Sequence, residues 1–125
     1  MVTTGGSSTE LFLPSTGKSC SLKSLPLVNY QPTLDPFDDG LITCGGTNSQ
    51  YQMLCHKFTP SLPYGTWSIF TTMIHKRRLH TSLSTGGRLL LVGGYYSASG
   101  YGGGLSNAEL LGGSTIAFNL KHKMT

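Results

Sequence analysis

Three pairs of adjacent glycines constrain the fold of this chain more than any other feature of its sequence. The pairs are Gly5-Gly6, Gly45-Gly46 and Gly93-Gly94; each follows a short β-prone run, and successive pairs start 40 and 48 residues apart. A recurrence of this length is typical of repeat architectures, in which one supersecondary unit is copied along the chain. We therefore expect several similar units rather than one continuous core.

The sequence around each glycine pair predicts a small antiparallel sheet. Asp39-Gly40 and Gly86-Gly87 stand just before a strand that ends in a glycine pair, and such dipeptides accept the positive φ of tight hairpin turns. A third strand with an acidic residue, Glu10 or Glu109, follows two of the pairs, and an outer strand carries the aromatic Trp67. Each unit then has four strands, and the predicted fold class is all-β.

The composition agrees with a β-fold and argues against two classes of function. Of the 125 residues, 17 are Gly, a residue that weakens helices. The net charge of +4 comes from nine basic residues whose longest run is Lys76-Arg77-Arg78, without the basic stripe and interleaved aromatics of a nucleic-acid reader. The longest apolar run, residues 89–92, is far below the roughly 20 residues of a membrane-spanning helix. We expect neither nucleic-acid binding nor a membrane span.

Three cysteines, Cys20, Cys44 and Cys55, leave the redox compartment open. Their spacing matches no zinc motif, and an odd number leaves at least one thiol unpaired within the chain. Cys44 and Cys55 fall on neighbouring predicted strands, which allows a disulfide or, with His56, a metal site. The sequence favours buried free thiols, with the disulfide second and the metal last. The N-terminal residues lack the features of a secretory signal, which slightly favours the cytoplasm and leaves an extracellular location open.

The repeat resembles the kelch repeat, whose units form the blades of β-propellers. The resemblance is carried by the apolar run into Gly93-Gly94, the downstream Glu109-Leu110, the outer-strand Trp67, and the step Arg77-x-x-His80 into the following unit. The kelch pattern uses such Arg and His residues to tie one blade to the next by hydrogen bonds. The resemblance covers essentially the whole chain.

The resemblance implies a partial, open β-propeller of about three four-stranded antiparallel blades. These blades would cover approximately residues 1–28, 29–76 and 77–125, whereas closed propellers have typically 4–8 blades. We expect a fragment of a longer propeller, with an independent open array or a ring of several copies as alternatives, and exposed blade faces allow self-association. The residues with an implied structural role in the repeat are Gly5, Gly6, Gly45, Gly46, Gly93, Gly94, Trp67, His80, Glu10 and Glu109.

The middle unit departs from the kelch pattern in three places. Residues 29–33, with the sequence Asn-Tyr-Gln-Pro-Thr, stand where an Arg-x-x-His-Thr step is expected. Cys55-His56 occupy the third strand, where the other units have an acidic residue. Pro36 interrupts the predicted first strand, which we expect to be frayed or bulged.

The longest insertion between two predicted strands is the best candidate for a functional surface. It reads as a loop that holds Tyr95, Tyr96 and Tyr101 among Ser and Gly, a mixture that places rigid amphipathic groups on an adaptable backbone. Together with Arg77 and Arg78, these tyrosines are the predicted protein-binding residues. The alternative is a disordered spacer whose tyrosines are simply exposed.

The sequence predicts binding rather than catalysis. The glycine-rich stretches match no nucleotide-binding motif, and three of the five carboxylates, Asp35, Asp38 and Asp39, lie in one turn segment. No nucleophile with a base and an orienting acid can be assembled, so we expect no enzyme activity, no cofactor and no metal. The predicted function is a protein-binding or scaffold module with an unidentified protein partner. The alternative is an extracellular carbohydrate-binding or galactose-oxidase-like propeller fragment, which an intrachain disulfide would favour.

Overall fold

The chain folds into antiparallel β-structure throughout the part that the structure describes. The structure, a computed structural model, describes residues 2–98, 101–112 and 116–119, and the side chains of residues 6–96 and 103–112. These ranges contain thirteen β-strands and no α-helix, and therefore no helix able to cross a membrane. Every strand pair is antiparallel and none of the sheets is closed. The predicted all-β class is confirmed.

The first two sheets follow chain order. The first sheet contains β1 (Val2–Gly5), β2 (Ser8–Leu13) and β3 (Lys18–Ser21). The second sheet has four strands, which are β4 (Thr33–Phe37), β5 (Gly40–Cys44), β6 (Leu54–Thr59) and β7 (Thr66–Thr72). In both sheets a glycine pair lies where one strand ends and the connection to the next begins. Gly5-Gly6 does so between β1 and β2, and Gly45-Gly46 between β5 and β6.

The last part of the chain forms a four-stranded sheet with a separate hairpin inserted in it. The strands in chain order are β8 (Thr81–Thr85), β9 (Arg88–Val92), β10 (Tyr95–Ala98), β11 (Tyr101–Gly104), β12 (Asn107–Leu111) and β13 (Ile116–Asn119). The four-stranded sheet, which we call the third sheet, has the order β8, β9, β12 and β13, and β10 pairs with β11 in a two-stranded sheet of its own. The segment predicted as a loop or a disordered spacer is therefore largely a β-hairpin.

The tight turns before β5 and β9 use different residues. Gly86-Gly87 joins β8 to β9 with φ of 54° and 74°, as the sequence predicts. The turn before β5 consists of Asp38 and Asp39, with a φ of 51° at Asp38, so the predicted Asp39-Gly40 turn is displaced by one residue. Asp tolerates this left-handed conformation better than most side chains. Gly40 is needed for space instead, since a Cβ there would lie 1.9 Å from the carbonyl oxygen of Phe58.

Pro36 does not disturb the first strand of the second sheet. The pairing of β4 with β5 is unbroken from Thr33 opposite Cys44 to Phe37 opposite Gly40, so the predicted fraying or bulge is wrong. β4 is the edge strand of its sheet, where the missing N–H of a proline is tolerated. The irregularity of this sheet lies in the pairing of β6 with β7, next to Cys55.

The second and third sheets share a core and meet at their first strands. The Ser82 hydroxyl of β8 donates to the Asp35 carboxylate of β4, so these two strands lie side by side. One cluster of buried apolar side chains draws on both sheets and on the segment that joins them, and burial of this surface stabilises their contact. Its members are Phe37, Ile42, Cys44, Cys55, Met73, Leu89, Leu91 and Leu111.

Candidate functional site

Two nine-residue segments lead from the outer part of one sheet to the first strand of the next. We call residues 25–33 the first step and residues 73–81 the second step; they are 48 residues apart, the spacing of the last two glycine pairs. Only the final threonine is the same in both sequences. A comparison of the two sequences by themselves would therefore not align them over their full length.

The two steps nevertheless have corresponding backbones. Leu25 and Met73 begin them as buried side chains, 4% and 1% exposed. Gln31 and Leu79, seven positions into each step, both have a positive φ, of 60° and 52°. The Leu79 amide donates to the Gln31 carbonyl at 3.2 Å, so the equivalent positions also lie next to each other.

A buried ion pair anchors the second step to the third sheet. Arg77 and Glu109 are 1% and 0% exposed, and Arg77 Nη2 donates to Glu109 Oε2 at 2.6 Å. The same guanidinium donates to the carbonyl oxygen of Gly93 at 2.6 Å and to Asn107 Oδ1 at 2.7 Å. Because both charges are desolvated, these extra hydrogen bonds are needed to offset the cost of burying them.

The Glu109 carboxylate also binds the backbone of the second step. It accepts the amide hydrogens of Ile74 at 2.5 Å and of His75 at 3.1 Å. Together with Arg77, three residues of one segment therefore donate to a single carboxylate on β12. Hydrogen bonds to a charged acceptor are stronger than neutral ones, so Glu109 fixes the position of the second step.

The first step satisfies its equivalent backbone groups without a carboxylate. Pro26 stands at the position of Ile74 and has no N–H to satisfy. Leu27 stands at the position of His75, and its amide donates to the hydroxyl of Tyr51 at 2.9 Å. A neutral hydroxyl therefore replaces the carboxylate where one donor fewer has to be bound.

Asn29 takes the place of Arg77 in the first step. Its Nδ2 donates to the carbonyl oxygen of Gly45 at 2.8 Å, as Arg77 does to Gly93. Its Oδ1 accepts from the Asn48 amide at 3.1 Å. The carboxamide therefore connects two backbone groups that follow β5, and no charge is buried.

His80 joins the second step to the start of β4. Its ring is 8% exposed, and Nε2 is hydrogen-bonded to Thr33 Oγ1 at 3.0 Å. The pKa of His80 is lowered from 6.5 to about 4, mainly by burial and in addition by the Arg77 charge, whereas the Glu109 charge opposes the shift. The imidazole is therefore neutral at pH 7.

The glycine pairs are packed against the two steps. At Gly46, with φ of 119°, an added Cβ would lie 2.2 Å from Oδ1 of Asn29. At Gly94, with φ of 96°, it would lie 2.7 Å from the carbonyl oxygen of Arg78. Both the backbone conformation and the available space therefore exclude a side chain at these positions.

Four of the five predicted protein-binding residues surround one small pocket. We call it the step pocket; its volume is about 240 Å³ and its lining residues are Gly46, Gln52, Arg77, Arg78, Tyr95 and Tyr96. The fifth predicted residue, Tyr101, pairs through its backbone with Ala98 on the hairpin, and its side chain lies outside the described residues. The hairpin thus contributes two of the three predicted tyrosines to the pocket.

Cations lie over the two tyrosine rings of the step pocket. The Arg78 guanidinium carbon is 5.1 Å from the ring centroid of Tyr95, and the Lys76 ammonium is 5.4 Å from that of Tyr96. The backbones of Arg78 and Tyr95 also exchange two hydrogen bonds, of 3.0 Å and 2.9 Å. These contacts hold the hairpin against the second step. Arg77 differs from Arg78 because both terminal nitrogens of its buried guanidinium donate to the third sheet.

The remaining predicted structural residues have unequal surroundings. The indole N–H of Trp67 donates to the Lys23 carbonyl at 2.7 Å, and its ring centroid is 5.2 Å from that of Phe58. Trp67 therefore connects the second sheet with the segment that precedes the first step. Glu10 is exposed, whereas Glu109, at the corresponding register position, is fully buried. The glycines Gly6 and Gly93 have positive φ of 61° and 64°, and Gly5 ends β1.

Two exposed apolar residues beside the step pocket were not predicted from the sequence. Tyr30 is 59% exposed and Leu79 is 63% exposed, and they belong to adjacent segments because the Leu79 amide binds Gln31. The available signal was their position, since both are large side chains in a connection between strands rather than in a strand.

The structure corrects the expectation of free thiols in the middle unit. Cys44 and Cys55 form a disulfide between β5 and β6, and Cys20 is an exposed free thiol. The paired cysteines lie directly opposite each other with Cα atoms 4.1 Å apart. Their sulfurs are therefore not available to a metal. His56, which follows Cys55, is buried against Tyr51, and burial lowers the pKa of His56.

Comparison with known proteins gives no family assignment. Neither a protein-family model nor a curated protein matches the sequence.

Proposed function

We propose that the chain is part of a kelch-type β-propeller that binds a protein partner at its two steps. Support for the propeller comes from the likeness of the second and third sheets. Each has four antiparallel strands, a glycine pair after its second strand, and a neighbouring sheet at its first strand. Blades of four-stranded sheets that repeat around an axis have this organisation.

The proposed binding surface consists of Tyr30, Gln31, Arg78, Leu79 and Tyr95, which we call the step face. It combines exposed apolar groups with a cation held over an aromatic ring. Tyrosine and arginine are the residue types that dominate the energetics of protein interfaces. The two steps, rather than the hairpin alone, therefore provide the surface.

Leu79 is the single observation that carries this proposal. A leucine with φ of 52° occupies the left-handed region, which side chains of this kind rarely adopt. It is also 63% exposed, so it makes little compensating contact within the chain. Local backbone strain of this type is concentrated at binding and catalytic sites.

The test is selection of a random peptide library, displayed on phage, against the folded 125-residue chain. We expect enriched peptides to bind at least about tenfold more weakly to a Leu79→Asp variant, because an interface anchor is replaced by a charge. Aspartate tolerates positive φ better than leucine, so the variant should fold. Leu62→Asp is the matched control, since Leu62 is 99% exposed in another loop. Equal losses in both variants, or no enrichment, would contradict the proposal.

A second candidate, an extracellular carbohydrate-binding propeller, is favoured by the Cys44–Cys55 disulfide. Disulfides persist mainly in oxidising compartments. A separate pocket of about 270 Å³ has Tyr51, His56 and Trp67 among its lining residues, and such aromatic walls suit a neutral polar ligand. A glycan array probed with the wild-type chain and with Trp67→Leu tests this candidate. The candidate is eliminated if the wild-type chain binds no glycan, or if Trp67→Leu binds the same glycans equally well.

A further inference from the structure

The step pocket carries positive charge that the described residues do not neutralise. Arg77 is paired with Glu109. Arg78 and Lys76 form no ion pair within the part of the chain that the structure describes. Two cations beside one small polar pocket therefore lack an anionic partner.

Both unpaired cations are held in place at the pocket. Arg78 lines the pocket directly, and the Lys76 ammonium lies over the ring of Tyr96, another of the lining residues. A guanidinium over an aromatic ring keeps its in-plane N–H donors available for an acceptor with two oxygens. The rings therefore restrict the cations before any ligand binds, which reduces the entropy lost on binding.

The size of the step pocket limits the ligand to one group. Its volume of about 240 Å³ is below the roughly 300–1,000 Å³ of sites that enclose a whole small molecule. Gln52, Tyr95 and Tyr96 also line the pocket and bring no anionic group to it. The pocket can therefore receive the charged end of a side chain, with the rest of the partner lying outside it.

We infer that the step pocket binds the phosphoryl group of a phosphorylated side chain on the protein partner. A phosphomonoester carries about −1.5 to −2 charges at pH 7 and three strong acceptor oxygens, which match the charges of Arg78 and Lys76. A single carboxylate would leave one cation unpaired. The inference rests on the proposed protein-binding function and specifies what the partner presents beside the step face.

The inference is tested by titrating the full chain with small phosphate esters and following backbone amide shifts by NMR. The probes are N-acetyl-O-phosphoserine amide, its methyl phosphodiester, and the dipeptide N-acetyl-Glu-Glu amide. We expect saturable shifts at Gln52, Arg78 and Tyr95. The dianionic monoester should bind at least about fivefold more tightly than the monoanionic diester and the dipeptide, because it alone presents two charges on one compact group.

Charge-removing variants show whether the binding is local. Arg78→Gln and Lys76→Gln should each weaken monoester binding about tenfold, the loss expected for one charge-assisted hydrogen bond. Arg88→Gln, which removes an exposed arginine at the start of β9, should leave the binding unchanged.

If Arg88→Gln weakens monoester binding as much as Arg78→Gln does, the binding depends only on net charge and the inference is overturned. Tighter binding of the dipeptide than of the monoester would overturn it as well. Failure here with peptides still selected through Leu79 would remove the phosphoryl inference alone. Failure of the peptide selection as well would remove the proposed function.

Discussion

Asn29 in the first step and Arg77 in the second step both donate to the carbonyl oxygen of the first glycine in a pair, at 2.8 Å and 2.6 Å. Beyond this shared bond their chemistry differs. Arg77 continues to a buried carboxylate, whereas Asn29 closes a neutral bridge to a backbone amide. The geometry of the connection is therefore set by the backbone and the glycines, and the polar side chain that completes it can be charged or neutral.

The number of free backbone donors explains which chemistry each step uses. Ile74 and His75 present two amide hydrogens to Glu109, and a carboxylate can accept both together with a guanidinium. In the first step Pro26 removes one of these donors, and the hydroxyl of Tyr51 accepts the other. A buried carboxylate is stable only where enough donors surround it. The first step offers a single backbone donor at this place, and a neutral hydroxyl is sufficient to accept it.

The largest expected effect is the loss of one member of the Arg77–Glu109 pair. Arg77→Leu and Glu109→Leu should each lower the free energy of unfolding by about 3–5 kcal/mol, because each leaves an uncompensated buried charge. Urea unfolding followed by circular dichroism measures this loss. The milder Glu109→Gln keeps the experiment informative if the leucine variants do not fold.

Two controls sharpen this first prediction. The double variant Arg77→Leu/Glu109→Leu should lose less than the sum of the single losses, because neither charge is left alone. Glu10→Leu, at the exposed position of the same register, should change stability by no more than about 0.5 kcal/mol. Strict additivity, or an equally large effect at Glu10, would show that the pair does not act as a unit.

The next effect is a pH dependence that only the second step carries. His80 has a folded-state pKa of about 4 against an ordinary 6.5, so the unfolded chain takes up this proton first as pH falls. Its contribution is complete above pH 6.5 and is lost progressively toward pH 4, by about 3 kcal/mol in total. Pro32, its counterpart in the first step, has no proton to exchange.

Unfolding experiments between pH 7 and pH 4 test this dependence. In His80→Gln, which keeps a polar group toward Thr33, the slope of stability against pH should become shallower. His56 contributes in the same direction because burial also lowers its pKa, so the comparison should be repeated in a His56→Gln background. An unchanged slope in His80→Gln would contradict the burial of a neutral imidazole.

Features fixed by local backbone conformation could be predicted from the sequence. Gly6, the second and third glycine pairs and the Gly86-Gly87 turn have positive φ, which few other residues adopt, so their residue types reveal them directly. Arg78, Tyr95 and Tyr96 were selected from the sequence by residue type as binding residues on a loop, and that role stays a prediction; the hairpin that carries the two tyrosines was not predicted.

Features that depend on packing between distant segments were not predictable in the same way. Glu10 and Glu109 look alike in sequence, and only Glu109 meets a segment that donates to it. The disulfide was the second choice because strand pairing places Cys44 beside Cys55 without fixing their oxidation state. The first step could not be aligned over its length, since one residue of nine is shared with the second step.

The smallest expected effect is at Asn29, and it tests whether the two steps are true counterparts. Asn29→Ala should lower stability by about 1–3 kcal/mol, because the Gly45 carbonyl and the Asn48 amide lose their partner. Asn29→Arg should be no better, since the position of Glu109 is held here by His56, a neutral group. Adding His56→Glu to Asn29→Arg should then recover part of the loss in urea unfolding, because it supplies the missing carboxylate. If the double variant is no more stable than Asn29→Arg, the side chains of the two steps do not correspond, and their likeness is confined to the backbone.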